Sequence, residues 1–300
     1  PNWNGIFGSK TIGKALAVRI CHRHPLCGLS PSPFWGRASF GGTLCVSGSG
    51  LSGKETEMTW KETLEKIQAG EETARAQALR RWDSLAKPLG SLGILEEAIV
   101  RIAALTGTAE VCLKNRALVV LCADNGVVSQ GVSQSDASVT RAVTAALGNQ
   151  SSTVNYMAQK VNCQVVPVDL GVLDFLGAPG VKNCRVCNGT GDISQGPAMT
   201  RAQCIQAIET GISLAQEAKE TGASILLTGE MGIGNTTTSC AVASVLLGKD
   251  PGQLAGRGSG LSEEGFRRKV QAIRQAICRN APDPGDPISV LQTVGGLDLA

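Results

Sequence analysis

A glycine-rich segment between an apolar run and a helical pattern constrains this chain more than any other feature. Residues 223–227 are apolar and predict a buried strand, residues 228–237 read Thr-Gly-Glu-Met-Gly-Ile-Gly-Asn-Thr-Thr, and residues 238–248 predict a helix closed by a glycine. A strand that turns through glycines into a helix N-terminus presents free backbone N–H groups and the positive end of a helix dipole, which suit an anion such as phosphate. The sequence therefore predicts an α/β unit with an anion site at this turn.

A carboxylate, Glu230, lies at the mouth of the same turn. A phosphate site needs no acid, because two negative charges repel each other. The presence of Glu230 beside a predicted anion site is better explained by a substrate that carries a cationic or proton-donating part close to its phosphate.

Composition limits the class of protein. A hydrophobic fraction of 42% and a charged fraction of 18% are typical of a soluble globular protein. No apolar stretch approaches the roughly 18–20 residues of a membrane-spanning helix. The net charge of +3, without a basic stripe carrying aromatics, argues against a nucleic-acid partner.

The first part of the chain differs in kind from the rest. Residues 1–54 contain six Lys or Arg, no Asp or Glu and both histidines, and the first methionine is Met58. This leader is interpreted as an organellar targeting segment, as a disordered extension or, the interpretation we favour, as sequence upstream of a start at Met58 or an artefact of a partial gene model. We predict a leader over residues 1–57 that carries no part of the fold, and one domain over residues 58–300.

Cysteine spacing raises the question of a metal site. Among eleven cysteines, Cys184 and Cys187 have the spacing of half a structural zinc site. No second Cys-x-x-Cys follows, and both histidines lie in the leader, so free cysteines in a reduced, cytoplasmic protein are the favoured interpretation. We expect no metal and no cofactor.

The order of patterns predicts the fold. Strands are predicted at residues 117–123, 164–169 and 223–227, and helices at residues 58–86, 94–105, 135–147, 153–161, 200–221, 238–248 and 262–279. This alternation predicts an α/β fold with a mainly parallel sheet and helices on both faces. Asp124, Asp169 and Glu230 follow strand ends, so the three carboxylates are expected at one rim of the sheet. An ordinary turn or cap role is the alternative for each, and the preferred one for Asp124.

Two nucleotide-binding motifs are excluded. Residues 48–54 fit Gly-x-x-x-x-Gly-Lys, but Glu55 stands where Ser or Thr is required and no strand precedes the motif. Gly232-Ile-Gly234 lacks the third glycine of the dinucleotide fingerprint, and no suitable acid lies about 20 residues further on. A P-loop and a hydride-transfer enzyme are therefore not supported.

Five segments together resemble one family, the nicotinate-nucleotide–dimethylbenzimidazole phosphoribosyltransferases. In the family's order they are Lys-Pro-Leu-Gly-Ser-Leu-Gly at residues 87–93, Ala-Asp-Asn-Gly-Val-Val at 123–128 with Gly-Val-Ser at 131–133, Gly-Pro-Ala-Met-Thr-Arg at 196–201, the glycine-rich segment at 229–237 and Gly-Arg-Gly-Ser-Gly-Leu at 256–261. The resemblance covers residues 58–300.

The resemblance implies a reaction and a set of site residues. Ribose 5-phosphate passes from nicotinate mononucleotide to a nitrogen of 5,6-dimethylbenzimidazole, and nicotinate leaves. Glu230 is expected to stabilise the positive charge that develops at C1 of the ribose. The residues expected to bind substrate are Gly232, Gly234, Asn235, Thr236, Lys269, Gly258, Asp124 and Ser135. No metal is needed, because the leaving pyridinium is already activated. A homodimer and a small helical domain built from both chain ends, incomplete in this chain, are also implied.

The resemblance leaves one catalytic role outside the sequence. The family's proton acceptor is a glutamate in a glycine-rich segment that is expected beyond Ala300, and Asp298 is not its equivalent. The alternatives are therefore a non-catalytic binder of nicotinate mononucleotide, or an inactive fragment of the enzyme. An unrelated nucleotide-dependent α/β enzyme is a third hypothesis, which binding of NAD but not of the mononucleotide would favour.

Overall fold

The computed structural model describes residues 59–300, so the predicted leader, residues 1–57, lies outside the described part of the chain. The described residues divide into two compact units. Residues 65–111 belong to the first, and residues 59–64 together with 112–300 belong to the second.

The first unit is built on a pair of helices, α2 (Glu72–Asp83) and α3 (Ile94–Thr106). Ala78, Val100 and Ala103 form its small buried core. Gly107 ends α3 with φ of 70°, a left-handed conformation that favours glycine.

The predicted helix over residues 58–86 is wrong as a single element. It is divided into α1 (Trp60–Lys66) and α2. At the break, a Cβ on Gly70 would lie 3.1 Å from Ala104 Cβ, and the Glu71 N–H donates to the Ala104 carbonyl at 2.8 Å. A contact with α3 therefore interrupts the helical pattern, and such a contact is invisible to local periodicity.

The second unit contains a parallel sheet. Its strands are β1 (Arg116–Ala123), β2 (Cys163–Gly171), β3 (Lys182–Asn183) and β4 (Ile225–Met231), in the order β3-β2-β1-β4. All three pairings are parallel. Pro167 lies in β2 opposite Val120 of β1, and β3 begins to pair only at Val168. The proline thus occupies a position without a partner strand on its other side, which its missing N–H tolerates.

Helices cover both faces of the sheet, as predicted. Alternate residues of β1 enter two cores: Val120 and Cys122 pack with Leu147, while Val119 and Ala123 join a larger core. The helices of this unit are α4 (Ala137–Gly148), α5 (Thr153–Lys160), α6 (Arg201–Glu220), α7 (Asn235–Leu247), α8 (Pro251–Leu254), α9 (Glu263–Asn280) and α10 (Pro287–Val294). Across residues 59–300, none of the helices combines the length and apolarity needed to cross a membrane.

Candidate functional site

The glycine-rich turn lies at the carboxyl end of β4, and β1 separates β4 from β2 in the sheet. β4 runs past the predicted strand and includes Glu230, which pairs with Leu121 of β1. α7 begins at Asn235, three residues before the predicted start. The Asn235 side chain joins both elements, because its Nδ2 donates to the Glu230 carboxylate and its Oδ1 accepts from the Thr236 N–H at 2.7 Å.

The first backbone N–H groups of α7 are not free, contrary to the prediction. Asn235 N–H donates to the Gly232 carbonyl at 3.0 Å, and Thr237 N–H donates to the Gly234 carbonyl at 2.8 Å. Thr236 N–H is taken by the Asn235 side chain. The helix dipole still favours an anion here, but the donors must come from side chains.

A fully buried lysine supplies such a donor. Lys269, on α9, has no exposed surface, and its Nζ donates to Thr236 Oγ1 at 2.7 Å and to the Gly256 carbonyl at 3.1 Å. Burial lowers the pKa of Lys269 from its ordinary value. An ammonium has three donors and these bonds use two. Lys269 therefore brings a desolvated cation to the N-terminus of α7.

Two glycines leave space around the Lys269–Thr236 contact and the turn that precedes α7. Gly258 has φ of 56°, and a Cβ there would lie 3.3 Å from Thr236 Oγ1 and 3.8 Å from Lys269 Nζ. Gly234 has φ of 94°, and its Cβ would lie 2.8 Å from Val128 Cγ2. Gly258 thus borders the Lys269 cluster itself, whereas Gly234 lets the turn pack against the segment that follows β1.

The other two predicted carboxylates, Asp124 and Asp169, accept hydrogen bonds from backbone N–H groups. Asp124 is 1% exposed, its Oδ2 accepts from the Leu173 N–H at 2.8 Å, and burial raises its pKa. Asp169 accepts from the Val172 N–H at 2.8 Å and pairs with Arg185 at 2.9 Å. Both acids stabilise the loop after β2, which matches the turn role preferred for Asp124. A direct substrate contact of Asp124 stays a prediction.

Replacing Arg185 by Ala is expected to lower the free energy of unfolding by about 3 kcal/mol, because it leaves the buried Asp169 carboxylate without its partner. Arg185 also donates to the carbonyls of Val172 and Phe175, which would lose a donor. Urea denaturation measures the change. Arg201→Ala is the matched control, since its pair with Asp286 is much more exposed and is worth at most about 1 kcal/mol. Equal losses in both variants would contradict a structural role for the Asp169 pair.

Ser135 lies in the loop before α4. The serine is half-buried and its N–H donates to Ser133 Oγ at 3.2 Å. The neighbouring Gln134 donates from Nε2 to the Gly260 carbonyl at 2.5 Å. This loop therefore adjoins the segment that carries Gly258, and a substrate contact of Ser135 stays a prediction.

Sequence reasoning missed two buried polar residues at this rim. Asn125 is 2% exposed and its Oδ1 accepts from Thr238 Oγ1 at 3.4 Å. Asp298 is 6% exposed, and burial followed by the negative charge of Glu230 raises its pKa to about 7. The one signal in the sequence was an acid placed in the otherwise apolar run after Gly295 and Gly296.

The assembled site carries opposite charges at two places. Lys269 and Thr236 form one end, Glu230 forms the other, and Asn235 connects them. Glu230 remains exposed to solvent, yet partial desolvation raises the pKa of its carboxyl group. This arrangement can hold an anionic group and stabilise a positive charge in the same small molecule.

Residues 67–300 are similar to proteins of known family. Residues 67–300 match a family model described as Phosphoribosyltransferase. A nicotinate-nucleotide–dimethylbenzimidazole phosphoribosyltransferase of Ruminiclostridium cellulolyticum is 47% identical over 243 residues, which are 81% of this chain and 69% of the relative. The enzyme of the same name from Acetivibrio thermocellus is 46% identical over 74% of this chain and 63% of its own. The chain thus spans about two thirds of the length of these relatives.

A solved structure agrees with the sequence relatives. The crystal structure of the nicotinate-nucleotide–dimethylbenzimidazole phosphoribosyltransferase from Thermus thermophilus is 40% identical, with a TM-score of 0.71 over 76% of this chain and 68% of that chain. The match confirms the predicted fold class, and the family model and the named relatives together confirm the family predicted from five short segments. This chain belongs to the nicotinate-nucleotide–dimethylbenzimidazole phosphoribosyltransferase family.

Proposed function

We propose that this protein transfers ribose 5-phosphate from nicotinate mononucleotide to 5,6-dimethylbenzimidazole, giving α-ribazole 5′-phosphate and nicotinate, a step in assembling the lower ligand of cobalamin. The names of the relatives support this pair of substrates. The observation that carries the proposal is the pairing of a buried cation, Lys269, with the Glu230 carboxylate through Asn235 and Thr236.

The two ends of the site suit the two ends of the nucleotide. A phosphate group is dianionic near neutral pH, so its binding beside Lys269 and Thr236 would compensate a charge that is costly to bury. At C1 of the ribose, the bond to the nicotinate nitrogen breaks and positive charge develops. The Glu230 carboxylate would stabilise that charge, and its preorganised position costs no rearrangement during the reaction.

The proposal is tested by the binding of nicotinate mononucleotide to a Lys269→Met variant. Methionine fills a similar volume without the charge, so the core should survive. We expect affinity to fall by about tenfold to 100-fold, the value of one charge-assisted hydrogen bond. Isothermal titration measures it. Lys160→Met, at the exposed end of α5, is the control, and equal affinity in the two variants would remove Lys269 from the phosphate site.

Two competing functions are separated by further assays. Tight binding of nicotinate mononucleotide without release of nicotinate would favour the non-catalytic binder. Binding of NAD but not of the mononucleotide would favour an unrelated nucleotide-dependent enzyme. Release of nicotinate that depends on added dimethylbenzimidazole would support the transferase over both.

We also propose a cytoplasmic homodimer. The eight cysteines of residues 59–300 are all free, which fits a reducing compartment. The dimer is implied by family resemblance, and light scattering of the purified protein would measure it.

A further inference from the structure

The Asp298 carboxyl group is enclosed beside Asn125. Among residues 59–300, neither of its oxygens has a hydrogen-bond partner, although the side chain is only 6% exposed. A Cβ on the intervening Gly296 would overlap Asp298 Oδ1 and would lie 2.7 Å from Asn125 Oδ1. Two acceptor oxygens therefore border one methyl-sized space.

Asn125 turns its Oδ1, and not its Nδ2, toward that space. Thr238 Oγ1 lies 3.4 Å from Asn125 Oδ1 and donates to the Asn235 carbonyl at 2.9 Å. Asn125 Nδ2 has no hydrogen-bond partner among residues 59–300 and lies 3.1 Å from where a Cβ on Gly232 would be. A buried carboxylate facing a carbonyl oxygen is unfavourable, because a buried acceptor without a donor loses its hydration uncompensated. A proton on Asp298 would turn the two acceptors into a donor and an acceptor.

The charges around Asp298 favour the same state. The titratable groups that interact electrostatically with it are Glu230 at the end of β4, Asp124 after β1 and the Cys122 thiol within β1. Burial and the negative charges of Glu230 and Asp124 raise the pKa of Asp298 to about 7, although the nearby backbone N–H groups of Asp298 and Leu299 act to lower it. Desolvation raises the pKa of Glu230, and the Glu230 carboxylate acts on Asp298 as a negative charge.

We propose that Asp298 is a positioning residue, a carboxylic acid whose proton is held toward Asn125 Oδ1, so that Glu230 is the charged carboxylate of the site. This inference rests on the proposed function only in giving Glu230 its task. A neutral Asp298 keeps Asn125 and the adjoining Gly232 turn in register, and it spares the site a second negative charge. Ionisation of Asp298 would add that charge next to Glu230.

An asymmetric effect on two pKa values tests the proposal. Carboxyl carbons of Asp and Glu are labelled with ¹³C, and their pH titrations are followed by NMR in the full chain. Glu230→Gln should lower the pKa of Asp298, because it removes the charge present when Asp298 ionises. Asp298→Asn should leave the pKa of Glu230 unchanged, because Asp298 is still neutral when Glu230 ionises. The reverse pattern would overturn the proposal.

Stability gives a second measurement that needs no substrate. Between its ordinary pKa of 3.8 and about 7, the folded protein holds a proton on Asp298 that the unfolded chain has lost. The free energy of unfolding should therefore fall as pH rises through this window. Asp298→Asn should remove the contribution of Asp298 to that slope, and its amide N–H₂ can still donate to Asn125. Asp298→Leu, which cannot donate, should unfold at lower denaturant than the wild type below about pH 7. The exposed Asp283→Asn is the control and should keep the slope.

The two proposals fail separately. An identical pH dependence of stability in the wild type and in Asp298→Asn would overturn the role of Asp298 and leave the transferase untouched. Absence of binding by nicotinate mononucleotide would remove the transferase and leave the proton on Asp298. In an active preparation, the pH profile of nicotinate release should bend near pH 7 in the wild type and lose that bend in Asp298→Asn; an identical bend in both would also overturn the proposal.

Discussion

Replacing Glu230 by Gln is expected to lower the rate of nicotinate release by about 10²- to 10³-fold, the usual loss on removing one preorganised electrostatic group. Glutamine keeps the length of the side chain and can still bond Asn235, which holds the carboxylate in the wild type. It lacks the charge that stabilises C1 as nicotinate leaves. Affinity for nicotinate mononucleotide should change by less than about threefold, because the charge acts mainly in the transition state.

The same variant has a defined pH dependence. Desolvation raises the pKa of Glu230, and the reaction needs the carboxylate form. In the wild type, nicotinate release should therefore rise with pH as Glu230 ionises, and in Glu230→Gln this rise should disappear. Steady-state assays separate kcat from KM. Glu65→Gln on the exposed side of α1 is the control, and a wild-type rate in Glu230→Gln would assign charge stabilisation to another group.

Elements with local signals were predictable from the sequence. Thr200 and Gln203 form a reciprocal cap at the start of α6, and Ser262 caps α9 through the Gly265 N–H. Caps of this kind can be predicted from residue type and spacing, because a capping side chain bonds within its own first turn. The parallel sheet was likewise predictable, since strands alternate with helices along the chain.

Features that depend on distant contacts were not predictable. The break at Gly70 is set by Ala104, more than thirty residues further along the chain. The backbone donors at the start of α7 were expected to be free, but the turn carbonyls and Asn235 take them. Sequence spacing can place a helix N-terminus beside glycines, but it cannot show which neighbouring acceptors use its N–H groups.

The charge states of the site residues also depend on distant contacts that the sequence does not show. Lys269 could be assigned to the phosphate end by family resemblance, but its complete burial depends on how α9 packs. Asp298 was dismissed as an equivalent of the family's base, and nothing local predicts that it lies beside Asn125 and within reach of the Glu230 charge. A residue's charge state depends on its environment in the folded protein, which only the structure supplies.

Replacing Gly232 by Ala adds a single methyl group, yet it is expected to lower substrate affinity, turnover and stability. The added Cβ would overlap the carbonyl oxygen of Ala123 at the end of β1 and would lie 3.1 Å from Asn125 Nδ2. Backbone cannot yield as a flexible side chain can, so the turn must move away from β1 and take the start of α7 with it. Thr236 would then shift from Lys269. A misplacement of about 1 Å can cost about 10²-fold in turnover.

The loss should appear in binding, rate and stability together. Affinity for nicotinate mononucleotide should fall with the rate, because the displaced group belongs to the phosphate end, and overpacking should lower stability by about 1–3 kcal/mol. Gly211→Ala is the matched control: Gly211 lies inside α6 with nothing within 4 Å of a Cβ, so alanine should stabilise that helix by up to about 1 kcal/mol and leave the rate unchanged. Gly232→Ala could instead match Gly211→Ala in melting temperature and in rate of nicotinate release. The turn would then accommodate a Cβ at position 232, and its close approach to β1 could not be what positions α7.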